Sequence, residues 1–154
     1  MFNIQGFYKI KSIANCSFHK EKIKTYLLSQ SVKGTVILSP EGINGTIAGR
    51  KSNVNSCVRF IKDRFSIDIF DSKNSSICKF LPFYRAIVKI KKEVVPIGLK
   101  LKVRAKKKSC YIDPNQWNQL ISKKDVTLID VRKPFEYKVG TFKDAINPKI
   151  NSFR

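Results

Sequence analysis

The chain is short of acids. Only 11 Asp and Glu stand against 31 Lys and Arg in 154 residues, a formal charge of +20. Such a field disfavours cationic partners and favours polyanions, nucleic acid foremost. Of the basic residues 24 are lysines, in a chain also rich in Ile, Asn and Ser. A coding bias toward A and T is therefore the competing source of the charge. Metal-ligating residues are scarce too. There is one histidine, His19, and the cysteines Cys16, Cys57, Cys78 and Cys110 form no C-x-x-C pair, which argues against a structural zinc site. Without an export signal a disulfide framework is not expected, and the thiols are expected reduced and mostly buried. Long apolar runs are missing: "AIV" and "TVIL" are far too short to span a bilayer. The start, "MFNIQGFYKI", lacks the basic region and long apolar core of a signal peptide. No basic amphipathic helix stands out for a membrane surface. The expectation is a soluble, cytoplasmic protein.

What is present has a clear order. Residues 2–10 alternate, with Phe2, Ile4, Tyr8 and Ile10 on one side and Asn3, Gln5, Phe7 and Lys9 on the other, a strand with one buried face. Ser17 is a plausible N-cap for a helix to about Gln30, with Ile23, Tyr26 and Leu27 along a stripe. "TVILS" and "INGTIAG" read as two further strands. Ser52 then precedes Val54, Cys57, Val58, Ile61 and Phe65, the cleanest helical period in the chain. After a polar loop, "DSKNSSICK", the segment "FYRAIVKIKKEVV" reads as a fourth strand with Ala86, Val88 and Ile90 inward. The order β-α-β-β-α-β is that of a ferredoxin-like domain, α+β in class. Arg85, Ile87, Lys89 and Lys91, with Phe7 and Lys9, would lie on its uncovered face.

This domain is expected over residues 1–98, followed by a basic linker, 99–109, that contains Lys106, Lys107 and Lys108. The pattern then restarts over 110–154. "CYIDP" is a short strand, Asp113 and Pro114 start a helix through Trp117, Leu120 and Ile121, and "DVTLIDVR" suits a buried parallel strand. This α/β unit has too few elements to cover both faces of a sheet, so a truncated domain is expected.

"SPEGINGTIAG", residues 39–49, is not a Walker loop, because Thr46 and Ile47 follow Gly45 where a lysine and a hydroxyl residue at a helix mouth are required. Pro40 presets a turn, and Gly42 and Gly45 accept dihedrals that side chains resist. A hairpin turn is the favoured reading and direct substrate contact the alternative. Asp130 and Arg132 sit at the carboxyl end of a strand, where open α/β sheets place ligand crevices. With Glu136 they could equally form a structural ion-pair and capping network.

The string "LIDVRKPFEYKVGTFKDAINP" resembles the opening of a rhodanese domain, with Thr141 standing where many such domains carry histidine. Read together, "SPEGINGTIAG", "VKIKKEVVPIG", "YIDPNQWNQLI" and "DVRKPFEYKVGTF" resemble the bacterial tRNA uridine hydroxylase family, which joins a ferredoxin-like domain to a rhodanese domain. The resemblance implies oxygen-dependent hydroxylation of the wobble uridine of tRNA at carbon 5, with molecular oxygen as co-substrate and no other cofactor evident. It also implies a catalytic cysteine in a loop beyond Arg154, so no catalytic residue is assigned within this chain, which alone is expected to be inactive. Arg85, Lys89, Lys91, Lys92, Lys106, Lys107 and Lys108 are the candidates to track a tRNA backbone, and Phe7 and Phe83 to stack on bases. A rhodanese-type sulfurtransferase and a non-catalytic RNA-binding fragment are the alternatives.

Overall fold

The computed structural model describes residues 1–94 and 112–150. Lys106, Lys107, Lys108 and Cys110 lie outside the described residues. The chain divides into two compact units, Met1–Val95 and Pro96–Arg154.

In the first unit the strands are β1 (Phe2–Ile10), β2 (Lys33–Ser39), β3 (Gly42–Gly49), β4 (Ser72–Cys78) and β5 (Ala86–Ile90), and the helices are α1 (Cys16–Ser29) and α2 (Lys51–Arg64). They form one mixed sheet in the order β4-β1-β3-β2-β5. The ferredoxin-like plan is therefore present with one strand more than the sequence suggests. The fourth strand is the polar segment expected to be a loop, paired antiparallel to β1 from Phe2↔Cys78 to Tyr8↔Ser72. The segment read as the fourth strand is β5, which lies at the opposite edge, parallel to β2. β4 carries no apolar alternation because it is an exposed edge strand held by its backbone ladder, and Lys73 on it discourages further pairing.

Both helices pack on one face of the sheet. Ile23 and Leu27 of α1 and Val54, Cys57, Val58 and Ile61 of α2 are buried against Val36, Leu38, Ile43, Ile47 and Val88. The helices start one residue or more before the expected caps. Asn15, in the left-handed region at φ 49°, precedes α1, and Arg50 precedes α2. Neither makes a side-chain capping bond.

The faces of β1 are the reverse of those expected. Phe7 is 3% exposed and Gln5 7%, both on the helix side, whereas Ile4 and Tyr8 face away. The reason lies in the partner strand. Phe7 pairs with Gly45, where an added Cβ would meet the Phe7 ring at 2.6 Å, and the ring packs against Phe70 at 5.2 Å. Phe7 is thus removed from the candidates for base stacking.

The turn between β2 and β3 consists of Pro40 and Glu41, and both carbonyls accept from the segment after β1: Ile13 N donates to Pro40 O and Lys11 N to Glu41 O, each at 3.0 Å. Gly42 and Gly45 serve close approach rather than unusual dihedrals. An added Cβ at Gly42 would collide with the Lys9 carbonyl, while positive φ among the described glycines belongs to Gly34.

In the second unit α3 (Pro114–Ile121) starts as expected, with Asp113 accepting from Asn115 N at 2.9 Å and proline opening the helix. A short α4 (Pro134–Val139) follows. Among the described residues the expected strand "DVTLIDVR" is reduced to one parallel bridge, Ile129↔Ile146, because no longer ladder partner lies beside it. No strand forms at Ile112.

Two outcomes follow from the packing. Gly45→Ala destabilises the first unit by about 1–3 kcal/mol in urea denaturation, since the ring and the sheet backbone leave no room to relax. Cys57 is 1% exposed and burial pushes its thiol up to about 12. It therefore resists a disulfide-exchange reagent at mildly alkaline pH in the native protein and reacts on unfolding.

Candidate nucleic-acid interface

The sheet face away from the helices mixes polar with apolar side chains. Along one row the Cα partners are Lys89, Ile37, Asn44, Tyr8 and Ser72, and along the next Ile87, Thr35, Thr46, Gly6 and Asn74. Inverting β1 exchanges Phe7 for Tyr8 on this face. Burial, then Asp71 and Glu41, pushes the Tyr8 phenol above its ordinary value, which keeps it a neutral hydrogen-bond donor. Asp71 is committed to the fold, accepting from Lys9 Nζ and from Ile10 N, each at 2.9 Å.

Arg85 precedes β5, Lys89 lies within it, and Lys91 and Lys92 follow, all four exposed. Their backbone is anchored to β2: Gly34 N donates to Arg85 O at 2.9 Å and Lys91 N to Leu38 O at 2.8 Å. A line of cations along one sheet edge results. Phe83 is half-buried, and the exposed ring beside this edge is Tyr84, at 91%. Sequence reasoning passed over Tyr84 because the expected strand starts at Phe83, and alternation then puts Tyr84 inward with Ala86, whereas β5 begins only at Ala86.

His19 is not a ligand site. Its Nδ1 accepts from Arg64 Nε at 2.9 Å and its ring meets Phe65. Burial, then Arg64, lowers its basicity. Among the described residues no cluster of His, Cys, Asp and Glu could hold a metal ion. Nor is any described helix long and apolar enough to cross a membrane.

In the second unit Asp130, Arg132 and Glu136 fall in one turn. The Asp130 carboxylate accepts from Arg132 Nη2 at 2.6 Å and Nε at 2.9 Å, from Arg132 N at 3.1 Å, and from Thr141 Oγ1 at 2.8 Å. Arg132 Nη2 also donates to Gly140 O, Asn147 Nδ2 donates to the Asp130 and Arg132 carbonyls, and Glu136 accepts from Lys133 N. Thr141, singled out in the sequence only as a departure from histidine, and Asn147, which was not singled out, are thus members of the network. Beside the turn lies a cleft of about 550 Å³ with apolar walls that include Trp117, Leu128, Ile129 and Phe142.

These donors, the Arg132 guanidinium first, hold the Asp130 carboxyl far below the usual carboxylate range. A carboxyl depressed on folding stabilises the folded turn above its unfolded pKa, and that contribution disappears as pH falls through the folded value. Carboxyl NMR should therefore find Asp130 still ionised at pH values where ordinary aspartates have titrated. Arg132→Ala should move its midpoint upward toward the ordinary value.

Comparison with known proteins places the chain. It is 46% identical over 154 residues, all of this chain, to a tRNA uridine(34) hydroxylase of Pelagibacter ubique (strain HTCC1062), covering 51% of that protein. It is 36% identical over 151 residues, 98% of this chain, to a tRNA uridine(34) hydroxylase of Teredinibacter turnerae (strain ATCC 39867 / T7901), covering 47% of that protein. The chain spans about half the length of these curated relatives. Among solved structures, acylphosphatase from Bacillus subtilis aligns with 59% of this chain and all of its own at 10% identity and a TM-score of 0.42, too low to carry further meaning. Residues 2–94, the whole five-stranded sheet and both of its helices, match the UPF0176 acylphosphatase-like domain, and the chain belongs to that family.

Proposed function

We propose that this chain is the RNA-binding N-terminal part of a cytoplasmic enzyme that hydroxylates uridine 34, the wobble uridine, of tRNA at carbon 5. The observation that carries the proposal is the 46% identity to a tRNA uridine(34) hydroxylase sustained through all 154 residues. The reaction replaces a C–H bond by C–OH, a two-electron oxidation; with molecular oxygen as co-substrate one oxygen atom enters the base and the other leaves as water, taking two electrons and two protons from a separate reductant. Of the three thiols described, Cys16 and Cys57 have no setting for such chemistry. Burial raises Cys16 and Cys57 above their ordinary values, and a reactive thiol needs an electropositive, accessible site. Catalysis is therefore assigned to the half of the relatives that this chain does not match. The second unit is read as the opening of a rhodanese-like domain, a reading supported by the closure of Asp130, Arg132, Glu136 and Thr141 into one turn.

The role left to the chain is to hold RNA. Arg85, Lys89, Lys91 and Lys92 present charge along β5, Tyr84 offers a face for an unpaired base, and Lys106, Lys107 and Lys108 add charge outside the described residues.

Binding of tRNA should weaken steeply with salt. The slope of log affinity against log salt should fall by roughly one for each of Arg85, Lys89 and Lys91 that is neutralised. Tyr84→Ala should cost about 1–3 kcal/mol of affinity for a single-stranded segment. Affinity indifferent to salt overturns the electrostatic reading. For the hydroxylation itself, mass spectrometry of tRNA from cells lacking the gene should show uridine 34 without its 5-hydroxyl. An unchanged level removes the assignment.

A further inference from the structure

Acids are scarce in this chain, 11 against 31 bases, so a carboxylate committed beside the β5 cations calls for a reason. Glu41 lies in the turn between β2 and β3, and its backbone is held on both sides. Its N–H donates to the Oγ of the buried Ser39 at 3.2 Å, and its carbonyl accepts from Lys11 N at 3.0 Å. Among the described residues its carboxylate enters no ion pair. Instead Oε1 accepts from a main-chain N–H, that of Val94, at 2.7 Å. A hydrogen bond to an ionised acceptor is stronger than one between neutral groups.

This bond holds the end of the cation line. The β2–β5 ladder stops where Lys91 N donates to Leu38 O. Lys91 and Lys92 are exposed, whereas Val94 is 4% exposed. Leu38 O and Glu41 Oε1 thus grip the segment at two points, Lys91 and Val94, with Lys92 between them. Cations fixed before a polyanion arrives need not be ordered when it binds. Charge alone gives the opposite expectation, since a carboxylate close to these lysines repels phosphate and its loss should tighten binding.

We propose that Glu41 is a positioning residue for RNA binding: by accepting from Val94 N it holds Lys91 and Lys92 ready for phosphates, and this gain outweighs the repulsion. The inference rests on the reading of the β5 cations as RNA contacts. Glu41 itself touches no RNA.

The test titrates tRNA into the full chain and into its Glu41→Ala and Glu41→Gln variants at low and moderate salt. Both substitutions remove the charge, but only glutamine keeps an oxygen that can accept from Val94 N. Glu41→Ala should bind about fivefold more weakly, because ordering of the lysines is shifted to the binding event. Glu41→Gln should bind as tightly as the unaltered chain, or more tightly. On a background of Lys91→Ala and Lys92→Ala, Glu41→Ala should cause no further loss. In the unaltered chain without tRNA, amide exchange at Val94 should already be slow. The proposal is overturned if Glu41→Ala binds as well as the unaltered chain, if Glu41→Gln is as weak as Glu41→Ala, if the loss persists without the two lysines, or if Val94 is protected only after tRNA is added. Binding by the unaltered chain that is indifferent to salt overturns the electrostatic reading and this inference together. Salt-dependent binding with any of those four outcomes overturns this inference alone.

Discussion

The pairing of Phe7 with Gly45 governs the first unit. A ring on β1 lies over a position on β3 that has no side chain, and the ring then completes the core with Phe70. Side chains alternate along a strand, so one buried ring decides the direction of every other residue on β1. Gln5 goes inward with Phe7 and reaches α2. Ile4 and Tyr8 go outward and become part of the open face. A side chain in place of the glycine would press on the ring and loosen this packing.

The open face and the β5 edge inherit their chemistry from that choice. Tyr8, carried outward, stands near Asp71 and Glu41, while Lys89 occupies the far end of the same row. Because β5 runs parallel to β2 at the edge remote from β4, its cations are displayed on a rigid backbone rather than on a loop.

The second unit is organised by polar rather than apolar contacts. Asp130 collects donors from Arg132 and Thr141, and Asn147 ties the carbonyls on either side. Its apolar residues stay open by comparison: Ile129, Val131, Phe142 and Ile146 are each more than half exposed. The turn is therefore closed by hydrogen bonds that need only local sequence, in contrast to the cooperative core of the first unit.

Much of this was legible in the amino-acid sequence where the signal is local. The apolar stripe of α2, the Asp113–Pro114 helix start and the Pro40–Glu41 turn each depend on residues within a few positions of one another. The excess of cations needs no fold to be read. The family resemblance, carried by short strings spread along the chain, likewise survived comparison with known proteins. Tertiary structure decided the rest. β4 has no apolar pattern, and only its backbone ladder to β1 makes it a strand. The buried face of β1 was ambiguous, since both of its faces carry apolar residues and only Gly45, far along the chain, discriminates between them. The bond from Val94 N to Glu41 joins two segments far apart in the chain. Strand pairing and burial are agreements between distant segments, and no stretch of sequence read by itself contains both parties to them.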